Sequence, residues 1–378
     1  MRAALLQGEP ALQAWQEWKA SVDLDDIDPG SLRLLPLLHR NLSELGVEDA
    51  LMGRFRGIHR LTWYRNHTMF RDMAAVVSSL QDIGLPTMIL KGAALIVLHY
   101  RDHGLRPVGD VDVLVPTKDA SAALDLLTRS GWASKRLQPP KLLTETYLVH
   151  KHGVVLRDGA GQQFDLHWHV LIDSCGANAD EEFWEDAIAV KLEDVSTHAL
   201  NPTDQLLHVC AHGARWETPP VIQWPADAMT VIRTAEPGID WPRLLRLVEK
   251  HRLVLPLRGT LTYLRDVLQA PIPSDVLQSL QDMPVTELER SEYEARTSPW
   301  AARGPWAELR SKYLRYSFLM HVAGLPPKLV GFPRFLMNTW GLEHWWQLPL
   351  TVVRRTAFRI GELSAWYVGG SGKRYSRS

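Results

Sequence analysis

Residues 90–115, LKGAALIVLHYRDHGLRPVGDVDVLV, constrain this chain more than any other stretch. Two aspartates, Asp110 and Asp112, sit one residue apart inside an otherwise apolar run. A strand points successive side chains to opposite faces, so the two carboxylates share a face, roughly 6–7 Å apart along the strand. Val111 and Val113 then point the other way, toward a core. Two like charges on an apolar strand repel each other and lose solvation. A cation between them removes both penalties. Oxygen-only ligands on a short, rigid element suit Mg²⁺, which is commonly held by one or two carboxylates together with substrate phosphates. The stretch therefore predicts metal-assisted phosphoryl chemistry.

A second segment, QFDLHWHV at 163–170, supplies a third carboxylate. Alternation puts Asp165, His167 and His169 on one face and Phe164, Leu166 and Trp168 on the other. If this strand lies beside the first, three carboxylates converge. Such a set can hold two metal ions about 3.5–4 Å apart, the clamp used for in-line displacement at phosphorus.

Lys91-Gly92, Arg106, the run from Gly109 to Val115, and Phe164-Asp165-Leu166-His167-Trp168 together resemble an uncharacterised bacterial nucleotidyltransferase family of the DNA polymerase β-like nucleotidyltransferase superfamily. The resemblance covers residues 85–172 and continues more weakly to 270, through His208-Val209-Cys210-Ala211-His212 and Trp241. It implies that Asp110 and Asp112 bind the catalytic metals, and that Asp165 completes the triad and acts as base, or as metal-linked activator, for the acceptor. It also implies an NTP, ATP among them, as donor, and two Mg²⁺ ions, with Mn²⁺ able to substitute. One departure stands out. Many superfamily members carry Gly-Ser shortly before the paired aspartates, whereas here Lys91-Gly92 is followed by Ala93-Ala94, and 17 residues separate Gly92 from Asp110. The hydroxyl that often touches the triphosphate is missing, so its place falls to other groups. Lys91, Gly92, Arg106, Gly109 and His167 are the expected nucleotide-side residues. Arg106 offers a guanidinium for bidentate phosphate binding, or else a salt bridge to Asp102 or Asp110. Lys91 is either a phosphate contact or a surface charge. His167, on the face of Asp165, is expected to position the acceptor.

Apolar spacing predicts helices at 11–20, 30–45 and 49–83. Gly84-Leu85-Pro86 breaks that pattern, 87–90 reads as a short buried strand, and 93–100 as a helix. A strand–glycine–helix junction turns backbone N–H groups toward an anion, so the Lys91-Gly92 turn either cradles the triphosphate or simply redirects the chain. An amphipathic helix at 117–130, with Leu124, Leu126 and Leu127 facing the sheet, and a hairpin of 150–157 with 163–170 complete the core. From 179 onward the chain reads as almost wholly helical, including 202–212, 241–251 and 255–268. The expected fold is α+β: a small mixed β-sheet nucleotidyltransferase core flanked by N-terminal helices and a mainly helical C-terminal region. The corresponding domains are an N-terminal helical region (1–84), the catalytic core (85–175), a helical domain (176–296) and a Trp-rich C-terminal region with a disordered basic tail (297–378).

Histidines raise a zinc question. His208 and His212 are spaced i, i+4, but no glutamate of a zinc hydrolase lies between them, so packing under the active site is the expectation. His150, His152, His167 and His169 offer a second, weaker cluster. Of the 15 tryptophans, Trp300, Trp306, Trp340, Trp345, Trp346 and Trp366 fall late. They are read as helical core packing, with a binding surface as the alternative. The basic amphipathic stretch at 352–360, with Arg354, Arg355 and Arg359, is a solvated helix face or a contact with a membrane surface, a nucleic acid or an acidic partner.

A net charge of −1 provides no basic excess for a large nucleic-acid footprint. The acceptor is therefore expected to be a small molecule or polypeptide before a nucleic acid. Cys175 and Cys210 make no disulfide framework. No apolar run approaches the ~18 residues of a membrane span, and the first ten residues, MRAALLQGEP, do not read as a signal peptide. The expected setting is the cytoplasm. The function expected is Mg²⁺-dependent transfer of NMP from an NTP to an acceptor hydroxyl or similar nucleophile, with release of pyrophosphate. Two alternatives are a catalytically degenerate nucleotide-binding scaffold or sensor, and an RNA-end nucleotidyltransferase.

Overall fold

The architecture comes from a computed structural model, which describes residues 1–134, 145–176, 178–214, 222–297, 306–327 and 331–368. The chain divides into two units, Met1–Pro284 and Val285–Ser378.

The first unit is built on six short strands: β1 (Met88–Ile89), β2 (Val111–Leu114), β3 (Gly153–Arg157), β4 (Gln163–His167), β5 (Ile188–Leu192) and β6 (Val195–Ala199). They form one mixed sheet in the order β3-β4-β2-β1-β6-β5. β2 runs antiparallel to β1 and parallel to β4, and β6 runs parallel to β1. β3–β4 and β5–β6 are antiparallel hairpins. The mixed α+β fold expected from the sequence is observed.

Period-two alternation explains the sheet's buried face. Val111, Val113, Phe164 and Leu166 lie in one apolar cluster with Phe70, Met73, Val77 and Leu80, and with Ala123, Leu124 and Leu127. In N-terminal order, the helices of this unit include α1 (Gly8–Ser21), α2 (Leu35–Glu44), α3 (Met52–Asp82), α4 (Lys91–Leu95) and α5 (Ala120–Arg129). The cluster thus joins α3 and α5 to the face opposite Asp112. Leu126, expected on that face, is only partly buried. α4 runs directly into a π turn, Ile96–Tyr100.

His150, expected to open a strand, instead ends the helix Glu145–His150, and a second departure is larger. Residues 188–199, expected to be helical, form the β5–β6 hairpin instead. Ile188, Val190 and Leu192 alternate with Ala189 and Lys191, and a two-residue turn, Glu193-Asp194, reverses the chain. That period-two pattern is a strand signal. β6 is held beside β1 by the Thr87–Thr197 hydroxyl pair at 2.8 Å and by Gln81, which donates to Thr87 Oγ1 and to the Ser196 carbonyl.

After the hairpin come α6 (Pro202–Gly213), α7 (Trp224–Thr234), α8 (Trp241–Lys250), α9 (Val254–Leu268) and α10 (Ser274–Asp282). Asn201 caps α6 by accepting from the Asp204 N–H, and Pro202 occupies the first turn, where a missing N–H does no harm.

The second unit contains α11 (Glu287–Thr297), α12 (Ala307–Val322), α13 (Gly331–Trp340) and α14 (Gln347–Val368). Tyr316 packs against Phe332 and Phe335, and Gly331 is required where the chain meets the Tyr316 hydroxyl, 2.2 Å from where a Cβ would sit. Trp306, Trp345 and Trp346 are exposed, so core packing does not account for those three. Trp300 and the tail, 369–378, lie outside the described residues.

Candidate active site

The β2–β4 register sets Asp112 directly beside Asp165, with Val111 beside Phe164 and Val113 beside Leu166. Parallel neighbours share a face, so the register brings these two carboxylates together. Asp110, one residue before β2, joins them through Gln163, whose amide nitrogen donates to Asp110 Oδ2 at 2.9 Å and to Asp165 Oδ1 at 3.1 Å. Lys91 Nζ donates to Asp112 Oδ1 at 2.5 Å, and His167 Nε2 pairs with the same oxygen at 3.0 Å. Donor atoms of Asp112, Asp165 and His167 all lie within 4.8 Å of one another.

This crowding separates the three carboxyls electrostatically. Burial and the charges of Asp112 and Asp110 push Asp165 up to about 7. Burial and Asp112 raise Asp110 as well. Burial acts to raise Asp112 too, but Lys91 and His167 outweigh it and hold that carboxyl below its ordinary value. Burial and Lys91 lower His167, which favours the neutral ring.

Lys91 opens α4 with φ at 44°, a left-handed conformation rare for a side chain with a Cβ. Such strain, of order 1–3 kcal/mol, persists only where the surroundings enforce it, and it clusters at functional sites. Gly92 follows because a Cβ there would meet Arg106 Nη1 at 2.5 Å and Val108 Cγ2 at 3.0 Å. Gly109 faces open space and has no such requirement.

Asp110 and Asp112 open onto a cleft of about 380 Å³, within the range of small-molecule sites, and Asp165 lies behind its lining residues, bonded to Gln163. Lys91, Gly92, Asp110, Asp112 and Gln163 line one side, and His208, His212 and Trp224 line the cleft from α6 and α7.

With that geometry in view, one comparison decides the family. The chain matches, over residues 31–269, the family described as an uncharacterised nucleotidyltransferase. It belongs to that family. No curated protein matches the chain. The region of this nucleotidyltransferase that matches contains the carboxylates and the cleft residues, and ends before the second unit. No helix among the described residues is long and apolar enough to cross a membrane.

Arg106 of the nucleotidyltransferase is not bridged to Asp102 or Asp110. Its Nε and Nη2 grip Asp227 Oδ1 and Oδ2 at 2.7 and 2.8 Å, and the Tyr100 hydroxyl donates to Asp227 Oδ1 at 2.8 Å. Burial opposes the Arg106 charge, and Asp227 more than restores it. Asp102 instead pairs with His59 at 2.9 Å. The backbone of the loop 101–109 is held from α3: the Asn66 amide donates to the His103 and Arg106 carbonyls at 2.7 Å each and accepts from the Val108 N–H at 3.3 Å.

The zinc pairings do not assemble. The His208 and His212 rings stand perpendicular with centroids 6.5 Å apart, and among the described residues no third ligating group joins them. His169 bonds Asp180 at 2.6 Å, while His167 belongs to Asp112, so the four-histidine cluster is divided. His208 is 6% exposed and lines the cleft, and its ring makes no side-chain hydrogen bond among the described residues. Burial, then Lys91, depress its pKa well below the ordinary value, so its ring is neutral.

Sequence reasoning missed Gln163, although it lies two residues before Asp165 and alternation places both on one face. It also missed Asp227, Trp224 and the cleft-lining pair Arg33 and Gln223, bonded to each other at 3.1 Å. No local pattern marks those residues.

Proposed function

We propose that this nucleotidyltransferase carries an NMP group from an NTP to an acceptor hydroxyl, with Mg²⁺ held by Asp110, Asp112 and Asp165. The pairing of Asp112 with Asp165 across β2 and β4, with Asp110 tied in through Gln163, is the observation that carries this reading. Three carboxylates make an oxygen-rich set that fits a hard divalent ion, Mn²⁺ as well as Mg²⁺. Burial, with repulsion from Asp112 and Asp110, raises Asp165 to about 7, and a cation relieves that repulsion. When bound, the metal neutralises charge developing on the transferred phosphoryl group.

The protein's own groups supply the rest. Lys91 lies on Asp112 and at the cleft, so it is the cation placed to receive the triphosphate. Arg106 is committed to Asp227, so its part is to shape the Gly92 turn, with Nη1 as its remaining edge. The acceptor oxygen bonds to the α-phosphorus, the bond to the bridging oxygen on the β side breaks, and pyrophosphate leaves. The acceptor proton passes to the Asp165 carboxylate. Positioning and charge neutralisation carry the rate. A small molecule or polypeptide is the favoured acceptor, in keeping with the net charge of −1. A cytoplasmic setting, where NTPs are at hand, belongs to the same proposal.

One observation favours a second reading. Lys91 and Gln163 satisfy the three carboxylates with the protein's own groups, as suits a nucleotide-binding scaffold that does not turn over. Calorimetry of each NTP with Mg²⁺, followed by a turnover assay with the NTP that binds, separates the two. Wild type should bind one NTP in a metal-dependent way, and Asp110→Asn/Asp112→Asn should lose that binding with an unchanged circular dichroism spectrum. Retained metal-dependent binding in the double variant would remove these residues from the site. Binding that never leads to pyrophosphate release with any acceptor hydroxyl supplied would favour the scaffold.

A further inference from the structure

A second group of ligating side chains lies on elements separate from the carboxylate face. His67 of α3, His103 of the loop 101–109 and Glu193 of the β5–β6 turn bring one donor atom each within 4.8 Å of one another. We propose that these three residues bind a divalent first-row transition ion of the zinc class. Two imidazoles and one carboxylate form a donor set known to hold Zn²⁺, with solvent completing the fourth position.

Four observations point to a ligand. The Nδ1 atom of His103 is buried and has no hydrogen-bond partner among the described residues, an arrangement that is costly for a polar atom left to itself. His67 Nδ1 and Glu193 Oε1 approach to 3.6 Å, too far for a hydrogen bond but close enough to share an ion after a small contraction. Glu193 sits at φ 52°, the first position of a two-residue hairpin turn. Glycine or asparagine takes that conformation with less strain, so a carboxylate there is kept against local preference. Finally, both rings are braced. His67 stacks on Trp63 at 4.9 Å, and His103 packs against Phe70 at 5.1 Å.

The ion ties three parts of the fold together. It links the long helix to the turn at the sheet's edge, and it adds a side-chain clamp to the loop that Asn66 already holds by its backbone. Zn²⁺ here raises stability through preferential binding to the folded state. The proposal does not depend on the nucleotide reading, because the aspartates of the carboxylate face take no part.

The full chain, stripped with chelator, is titrated with Co²⁺ as an absorption probe and then with Zn²⁺. Wild type is compared with His67→Ala/His103→Ala and with Glu193→Gly. Wild type should develop the visible band of nitrogen-ligated Co²⁺ and take up one more equivalent of Zn²⁺ than the double variant. Glu193→Gly relieves the backbone, so its metal-free melting temperature should match or exceed wild type while Zn²⁺ affinity falls by about 10-fold or more. Because that variant keeps its fold, lost binding cannot be assigned to unfolding. An unchanged Co²⁺ band in the double variant overturns the site, and so does full Zn²⁺ affinity in Glu193→Gly.

Discussion

Asp227 shows how far a cleft-lining side chain can depend on a partner remote in sequence. It accepts two bonds from Arg106, 121 residues away, and one from Tyr100. Breaking a buried pair leaves an uncompensated charge, which typically costs ~3–5 kcal/mol. Asp227→Ala should therefore destabilise the fold by about that amount in urea titrations and weaken NTP binding; a loss below ~1 kcal/mol would mean the pair is not a significant support. Asp110, Asp112 and Asp165 were legible in the sequence because strand alternation is a local rule, and carboxylates on an apolar strand stand out. Gln163 obeyed the same rule but carried no charge to draw attention. Asp227 offered no signal at all, since what makes it matter is the packing of one helix against a distant loop.

The long helices were legible by repetition, and the short β2 and β4 by their carboxylates, a mark that β5 and β6 lack. The 31 residues of α3 repeat their apolar spacing many times, whereas β5 and β6 alternate over only five residues each. Tertiary pairing with β1 decided their conformation. A comparable dependence holds α6 and α7 together. A Cβ at Gly213 would lie 2.2 Å from Trp224 Cγ, so the end of α6 fits only while that position stays bare. Gly213→Ala should push α7 outward, at a cost of ~1–3 kcal/mol from overpacking, and carry Asp227 with it. Urea titration and tryptophan emission would register the change; an unaltered spectrum and midpoint would show that the interface has slack.

At the scale of the molecule, stability responds to acid through groups outside the lining of the cleft. His251, bonded to Ser174 and stacked on Phe183, is depressed by burial from 6.5 to about 4. Its folded form resists a proton that the unfolded chain accepts, so it lowers stability as pH falls from 6.5 toward 4, and it contributes no slope above that window. Asp165, raised from 3.8 to about 7, acts in the opposite sense in metal-free protein. The test is therefore a difference. Between about pH 7.5 and about pH 4.5, wild type should lose ~2–3 kcal/mol more than His251→Gln. Parallel stability–pH curves would remove His251 as a source of acid sensitivity. The family match ends at residue 269, within the first unit, so the exposed tryptophans of the second unit belong to a surface that the shared family region does not cover.

The loop 101–109 is gripped from two flanks, by Asn66 on α3 and by Asp227 on α7. A string stretched between two pegs is in tune before it is played. Asp110 hangs at the end of that string, so its place is fixed while the chain folds and does not wait for a ligand. Arriving molecules then meet a surface that has little left to rearrange, and association should resemble docking to a rigid body. Slackening either peg should show first in the rate of capture and in the heat of binding, before any change in the chemistry that follows.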